Sequence, residues 1–320
     1  MTPLPPEPPE DWPASKSWPP GVQSLDDAFD KLRWAKKHFE VLREKIEPFE
    51  QRDTHSISCQ PDPEAGKYTF FVHDLEQPAS DDWGLMIGDC LHNARTALDY
   101  LLVRLHALVT GEKPIFVKKV QFPIYDKPDR FQGAVAELRK QPAFSGYLAR
   151  IEELQPYNLN NPSVWGMQPR QPHALYRVPI MHPLPAALDQ LSQLDNIDKH
   201  RVAHAAWLGL RSPANMVDPE FVPDDFRTKE SHIYTGPLES GAEVGYMRFR
   251  TPLSHSWEPD EMDMKRQFAI QISIFDERRF SGRVLEVLPA CLWAVESVLT
   301  LFAPVFSGEP PLPVTAIPVP

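Results

Sequence analysis

The fold of this chain is decided by residues 82–108, which read DWGLMIGDCLHNARTALDYLLVRLHAL. At 100° per residue, this stretch predicts one long helix with a broad apolar face and a polar stripe beside it. The apolar face consists of Ile87, Leu91, Ala94, Leu98, Leu101, Leu102 and Leu105. The stripe consists of Gly88, His92, Arg95 and Asp99. Charged groups at the margin of a core need partners, so the stripe is the first candidate site.

The polar cluster on this helix has two interpretations. As a functional site, Arg95 binds an anion, His92 moves protons and Asp99 orients one of them, with Asn93 beside them. As a structural feature, the same side chains form an ion-pair network that locks helices together. Structural ion pairs outnumber catalytic ones, which favours the structural interpretation.

A second charged stretch, NIDKHR at residues 196–201, falls in a helix predicted over 183–210. Asp198 and Arg201 lie on the apolar face of that helix and are expected to be buried. Lys199 and His200 point elsewhere and are expected in solvent.

These two helices are predicted to be direct neighbours. Each carries an acid and a base three or four residues apart, and an unpaired buried charge costs several kcal/mol. We therefore expect Arg95 to meet Asp198 and Arg201 to meet Asp99, in a network that is neutral overall.

Composition limits the classes of function. A net charge of −11 over 320 residues argues against a broad nucleic-acid-coating surface and against anionic membranes. Cys90 and Cys291 lie in apolar helical stretches and are expected to be buried free thiols. Free thiols are typical of the reducing cytoplasm, which is the expected location. No third ligand accompanies His200 and His204, and no nucleotide or dinucleotide motif is present, so neither a metal nor a cofactor is expected.

Outside residues 82–108 the chain alternates between helical and strand patterns. An amphipathic helix is predicted to begin at Ser24 and end at Pro48, and residues 54–73 to form a β-hairpin. Residues 117–126 indicate a short strand, 130–140 and 144–154 short helices, and 155–183 a loop. The strands that follow are expected at residues 232–236, 243–249 and 267–275, before a final apolar helix at 283–302.

The domain prediction is one α+β domain over residues 23–307, a long-helix core packed with a mostly antiparallel β-sheet. Two proline-rich tails, residues 1–22 and 308–320, are expected to be disordered, because proline cannot donate backbone hydrogen bonds.

The segments GDCLHNARTALDYLL, VQFPIYD, ELQPY and LDNIDKHR resemble a group of uncharacterised bacterial proteins. This resemblance implies a bacterial cytosolic protein of unknown activity. The helix of that group in turn resembles the arginine-to-histidine motif of HEPN-type helical ribonucleases. Arg95 matches the arginine and is carried over as a candidate anion binder, whereas Tyr100 stands where the histidine is expected.

Two functions remain open on the sequence. The favoured one is a non-enzymatic binding or scaffolding protein whose polar cluster is structural or holds a small anionic ligand. The alternative is a HEPN-like, metal-independent ribonuclease of the toxin or defence type, with His92 and Arg95 as catalytic residues. The alternative also predicts an RNA substrate and a symmetric homodimer.

Overall fold

A computed structural model gives the structure of this protein. It describes residues 24–52, 55–62, 64–76, 82–111, 121–159, 161, 183–200, 206–211, 228–233, 239–249, 269–276 and 279–318. The N-terminal tail predicted for residues 1–22 lies outside the described residues.

The described residues confirm the α+β fold class. The α-helices are α1 (Asp26–Glu50), α2 (Asp82–Thr110), α3 (Pro128–Ala134), α4 (Ser145–Glu153), α5 (Pro183–His200) and α6 (Val284–Phe302). The strands are β1 (Ser56–Asp62), β2 (Lys67–His73), β3 (Ala206–Arg211), β4 (Thr228–Ile233), β5 (Glu243–Phe249), β6 (Ala269–Asp276) and β7 (Arg279–Arg283). Short 3-10 turns occur at Leu138–Lys140, Pro142–Phe144, Pro156–Asn158, Ala303–Ser307 and Val314–Ala316.

The chain forms two compact units. The helical unit comprises Met1–Phe39, Gly88–Arg201 and Val287–Pro320, and the sheet unit comprises Glu40–Ile87 and Val202–Glu286. The prediction of one domain over residues 23–307 stays a prediction, because two compact units can still fold together.

The helical periodicity of the sequence is confirmed on α1 and α2. All seven residues of the predicted apolar face of α2 are buried. The matching stripe of α1 is buried as well: Ala28, Leu32, Ala35, Phe39, Leu42, Ile46 and Phe49. In both helices the spacing of three and four residues places these side chains on one face.

Two antiparallel sheets form the sheet unit, with strand orders β1-β2-β5-β4 and β3-β6-β7. The hairpin predicted at residues 54–73 is confirmed as β1 and β2, with Ser56 opposite His73 and Asp62 opposite Lys67. Burial alternates along β2, where Tyr68, Phe70 and Val72 are buried and the residues between them are only half-buried. One face of this sheet is therefore buried and the other is half-buried.

Helix α1 continues past Pro48 to Glu50, so the prediction that proline ends it is wrong. The last turn is held by side-chain contacts within the sheet unit. Glu50 pairs with Arg283 and accepts a hydrogen bond from the Ile272 N–H at 2.8 Å, while Phe49 packs edge-on against Trp83. These contacts offset the hydrogen bond that proline removes.

Helix α5 ends at His200, and residues 206–211 form β3, so the helix predicted over 183–210 is too long. Strand β3 pairs along its whole length with β6, with Leu208 opposite Ile272. Tryptophan and leucine around Gly209 favour a strand, and glycine inside a helix is costly, so pairing with β6 overrides the apparent helical stripe.

The C-terminal segment corrects the prediction of a disordered tail from residue 308. The Leu312 N–H donates to the Leu301 carbonyl at 2.8 Å, and Pro311, Val314 and Ile317 are buried. Proline removes donors, but an extended segment can still dock through apolar side chains and its remaining N–H groups.

Helix α6 is apolar almost all round. Residues Val284–Ser307 are long and apolar enough to cross a membrane, yet 61% of the most hydropathic window is buried inside the protein. Such burial is typical of the core helix of a soluble protein, and it supports that class here.

Candidate functional site

Arg95 and Asp99 hold the backbone of a single residue, Phe122. The Arg95 guanidinium donates through Nη2 to the Phe122 carbonyl, and the Phe122 N–H donates to Asp99 Oδ1 at 2.8 Å. Arg95 Nη2 and Asp99 Oδ1 lie 3.6 Å apart, one turn along α2. The two side chains are 9% and 20% exposed, so this charge pair lies within the protein and not on an open surface. Helix α2 thus supplies one hydrogen-bond donor and one acceptor, and together they bind the C=O and the N–H of the same residue.

A second side chain, Gln155, binds the backbone of the same segment at Pro123 and Tyr125. Gln155 is fully buried; its Oε1 accepts from the Tyr125 N–H and its Nε2 donates to the Pro123 carbonyl, both at 2.9 Å. Phe122 and Ile124 point into the core. Residues 121–125 form no strand, which corrects the prediction of one at residues 117–126 as far as it is described. The side chains of Arg95, Asp99 and Gln155 bind the backbone groups that a neighbouring strand would otherwise pair, since buried backbone groups need hydrogen-bond partners.

His92 pairs with a residue that the sequence pattern did not single out. Its Nδ1 lies 3.6 Å from Oδ1 of Asp195 on α5. The Asp195 side chain is 3% exposed, whereas that of His92 is 56% exposed. Asp195 follows Leu184, Leu188 and Leu191 at steps of four, three and four, so a charge at an apolar position was the signal available.

Four sequence segments that are far apart in the chain therefore meet in the helical unit. The α2 segment supplies His92, Arg95 and Asp99, and the FPI segment supplies Phe122. Gln155 comes from ELQPY and Asp195 from LDNIDKHR.

Asn93 does not join this cluster. Its amide donates to the Asp89 carbonyl at 2.8 Å, and its Oδ1 accepts from Lys31 Nζ of α1 at 3.3 Å. Further along, Arg104 binds Asp27 of α1 through Nε and Nη2. These contacts tie α1 to α2, so the Asn93 side of α2 is a helix–helix contact.

The side chains of Asp198, Lys199, His200 and Arg201 lie outside the described residues. The predicted pairs Arg95–Asp198 and Asp99–Arg201 therefore stay predictions. The expectation that the two helices are neighbours is supported by the contact between His92 and Asp195. Arg95 Nη1 is buried and has no hydrogen-bond acceptor among the residues that the structure describes, which leaves one donor of this guanidinium for a further acceptor.

The cysteines are poor nucleophiles. All three are free thiols, with Cys90 and Cys291 buried as predicted. Burial raises the pKa of the Cys90 thiol and that of Cys291, the latter to about 12. Within the described ranges, no group of three or more His, Cys, Asp or Glu side chains is placed to hold a metal ion.

Comparison with protein-family profiles, curated proteins and solved structures finds no match for this chain.

Proposed function

We propose that the cluster around Arg95 serves binding or scaffolding rather than catalysis. The observation that carries this proposal is the double hydrogen bond of Arg95 and Asp99 to the backbone of Phe122. A charge pair that satisfies a buried backbone cannot also move toward a substrate without leaving those groups unpaired, which costs about 1–3 kcal/mol for each of them.

Burial of Arg95 supports the same conclusion. A ribonuclease that stabilises a phosphodiester through this arginine needs the guanidinium in a groove wide enough for a polynucleotide. A side chain that is 9% exposed offers no such groove. A small anion needs far less space, and Arg95 Nη1 provides a buried donor for it.

The ligand part of the proposal is tested by thermal unfolding in phosphate against chloride of equal ionic strength. Phosphate is expected to raise the midpoint of the wild-type protein and not that of Arg95→Lys, because lysine lacks the planar fork. Arg104→Lys is the matched control, since Arg104 lies on the same helix and binds Asp27. An equal rise of the unfolding midpoint in all three proteins would show that Arg95 is not the binding group.

The pairing of His92 with Asp195 favours a second candidate, a HEPN-like metal-independent ribonuclease. A buried carboxylate beside Nδ1 of an exposed imidazole is the arrangement that orients a general base. His92 would take the place that Tyr100 leaves open in the resemblance. Purified protein would then cut unstructured RNA in the presence of a chelator, and His92→Ala would stop it.

Asn93→Ala is the control for this assay, because Asn93 adjoins His92 and contacts Lys31 instead of Asp195. Under the favoured proposal, neither the wild-type protein nor any of these variants cuts RNA. Cleavage that His92→Ala and Arg95→Ala abolish, and that Asn93→Ala keeps, would establish the ribonuclease. A bacterial source, a cytoplasmic location and a homodimer belong to the same proposals, and light scattering on the purified protein tests the last.

A further inference from the structure

The β1–β2 hairpin carries a hydroxyl and an imidazole in direct contact, in the sheet unit and apart from the cluster on α2. Ser58 Oγ lies 2.7 Å from Nε2 of His73. In the register of the hairpin Ser58 is opposite Phe71 and His73 is opposite Ser56, so the two side chains are diagonal neighbours on one face. This is the half-buried side of the sheet, opposite Tyr68, Phe70 and Val72.

In the tautomer that leaves Nε2 of His73 without a proton, the Ser58 hydroxyl donates to it, as nucleophilic catalysis needs. A serine hydroxyl that donates to Nε2 is aligned to lose its proton to that nitrogen when Oγ attacks a carbonyl carbon. The distance lies within the range expected for a nucleophile and its base. His73 is the last residue of β2.

Substrate can approach from the side of β1. Among the described strands β1 lies at the edge of the four-stranded sheet, and it pairs with β2 alone. An edge strand directs alternate N–H groups outward, and such groups can bind an extended chain or a developing oxyanion.

The neighbouring thiol does not compete for this role. Cys59 follows Ser58 on the opposite face of β1, and burial raises the pKa of its thiol to about 12. At neutral pH the thiol is therefore protonated and unreactive.

We propose that Ser58 is an acyl-accepting nucleophile and His73 its general base, in a serine esterase site that acts on small carboxylic esters. Ser58 Oγ forms a bond to the ester carbonyl carbon while its proton passes to His73 Nε2. The bond from that carbon to the alkoxy oxygen breaks, and the His73 proton goes to the departing alcohol. Water then attacks the acyl-serine with His73 as base, which releases the carboxylic acid and restores the hydroxyl.

The test begins with the unmodified full-length protein and a fluorophosphonate probe, followed by intact mass and peptide mapping. One label per chain on Ser58 is the expected result. An unlabelled protein, or one labelled at another residue, would overturn the proposal. This test needs no variant, so a loss of folding cannot explain a negative result.

Variants then separate a nucleophile from a structural cross-strand hydrogen bond. Ser58→Ala is expected to abolish labelling and the burst of p-nitrophenol from p-nitrophenyl acetate. His73→Asn, which can still bond to Ser58, is expected to slow labelling by about 10²-fold or more, as for loss of a general base. Ser56→Ala is the matched control, because Ser56 lies on the same face and binds Asp74; it should label like the wild type. Equal rates in His73→Asn and the wild type would show an ordinary surface serine and sink the proposal.

Discussion

The two units contain the same polar arrangement at different chain separations. In the helical unit, Asp99 accepts a hydrogen bond from the Phe122 N–H and pairs with Arg95, four residues away on the same helix. In the sheet unit, Glu50 accepts from the Ile272 N–H and pairs with Arg283, 233 residues away. In each, one carboxylate neutralises an arginine and satisfies a backbone donor at the same time.

The comparison shows what a charge pair stabilises in each place. Arg95 and Asp99 belong to one helix, so their mutual contact adds little, and their effect comes from fixing residues 121–125. Glu50 and Arg283 instead join the end of α1 to β6 and β7, and hydrogen bonding to Glu50 raises the pKa of Arg283 above its ordinary value. Removing the carboxylate should therefore cost more in the sheet unit.

The largest effect is expected for Glu50→Ala. The Glu50 side chain is 7% exposed, and its loss leaves the Ile272 N–H without this acceptor and the Arg283 guanidinium with only the exposed Glu286 as a partner. Breaking a buried pair in this way costs about 3–5 kcal/mol. Urea unfolding of Glu50→Ala measures it, with Glu47→Ala as control, because the half-exposed pair of Glu47 with Arg43 should contribute under about 1 kcal/mol. A loss below that level in Glu50→Ala would contradict the comparison.

A smaller loss, about 2–3 kcal/mol, is expected for Asp99→Ala, because its side chain is more exposed than that of Glu50. Asp99→Asn should recover about half of this loss, since the amide oxygen can still accept from the Phe122 N–H. Chemical denaturation of the two variants side by side makes the measurement. Equal losses in both would mean that charge, and not the bond to the backbone, carries the effect.

The docked segment after residue 307 provides an apolar contact whose stability effect can be compared with those of the polar contacts. Ending the chain after residue 307 removes the buried side chains Pro311, Val314 and Ile317 and the bond from Leu312 to the Leu301 carbonyl. Burial of side chains of this size, offset by the entropy of ordering the segment, predicts a loss of about 2 kcal/mol. Calorimetry should show a clearly lower melting temperature for the shortened chain. An unchanged value would mean that the segment is not docked.

The smallest effect is expected for His92→Ala, about 1 kcal/mol. The imidazole is more than half exposed, so only its contact with the buried carboxylate of Asp195 is lost. A loss above 3 kcal/mol would make His92 a core residue and weaken its candidacy as a base.

The same comparison explains what could be predicted from sequence. The sequence predicts the cluster of Arg95 and Asp99 because a helix places residues four apart on one side, and a charge stripe beside an apolar face shows in the pattern. The sequence does not predict their partner Phe122, since nothing local links a helix to a backbone amide 23 residues beyond Asp99. The pair of Glu50 with Arg283 depends wholly on tertiary structure, so no spacing reveals it.

Errors in the elements have the same origin. Proline alone predicts a disordered tail after residue 307 and an end of α1 at Pro48, whereas apolar docking and the contacts of Glu50 decide the structure there. The sequence of strand β3 predicts a helix because its apolar residues fit both periods, and its pairing with β6 depends on residues about 60 positions away. The local rules failed where a distant segment supplied the partner.

Hydrogen exchange at the Phe122 amide tests the central claim most directly, namely that Arg95 and Asp99 hold this backbone. Exchange followed by NMR should show a strongly protected Phe122 N–H in the wild type, still partly protected in Asp99→Asn and unprotected in Asp99→Ala. The Tyr125 N–H, which binds Gln155, should stay protected in all three and serves as the internal control. A Phe122 amide that exchanges in the wild type as fast as an unfolded chain would contradict the account.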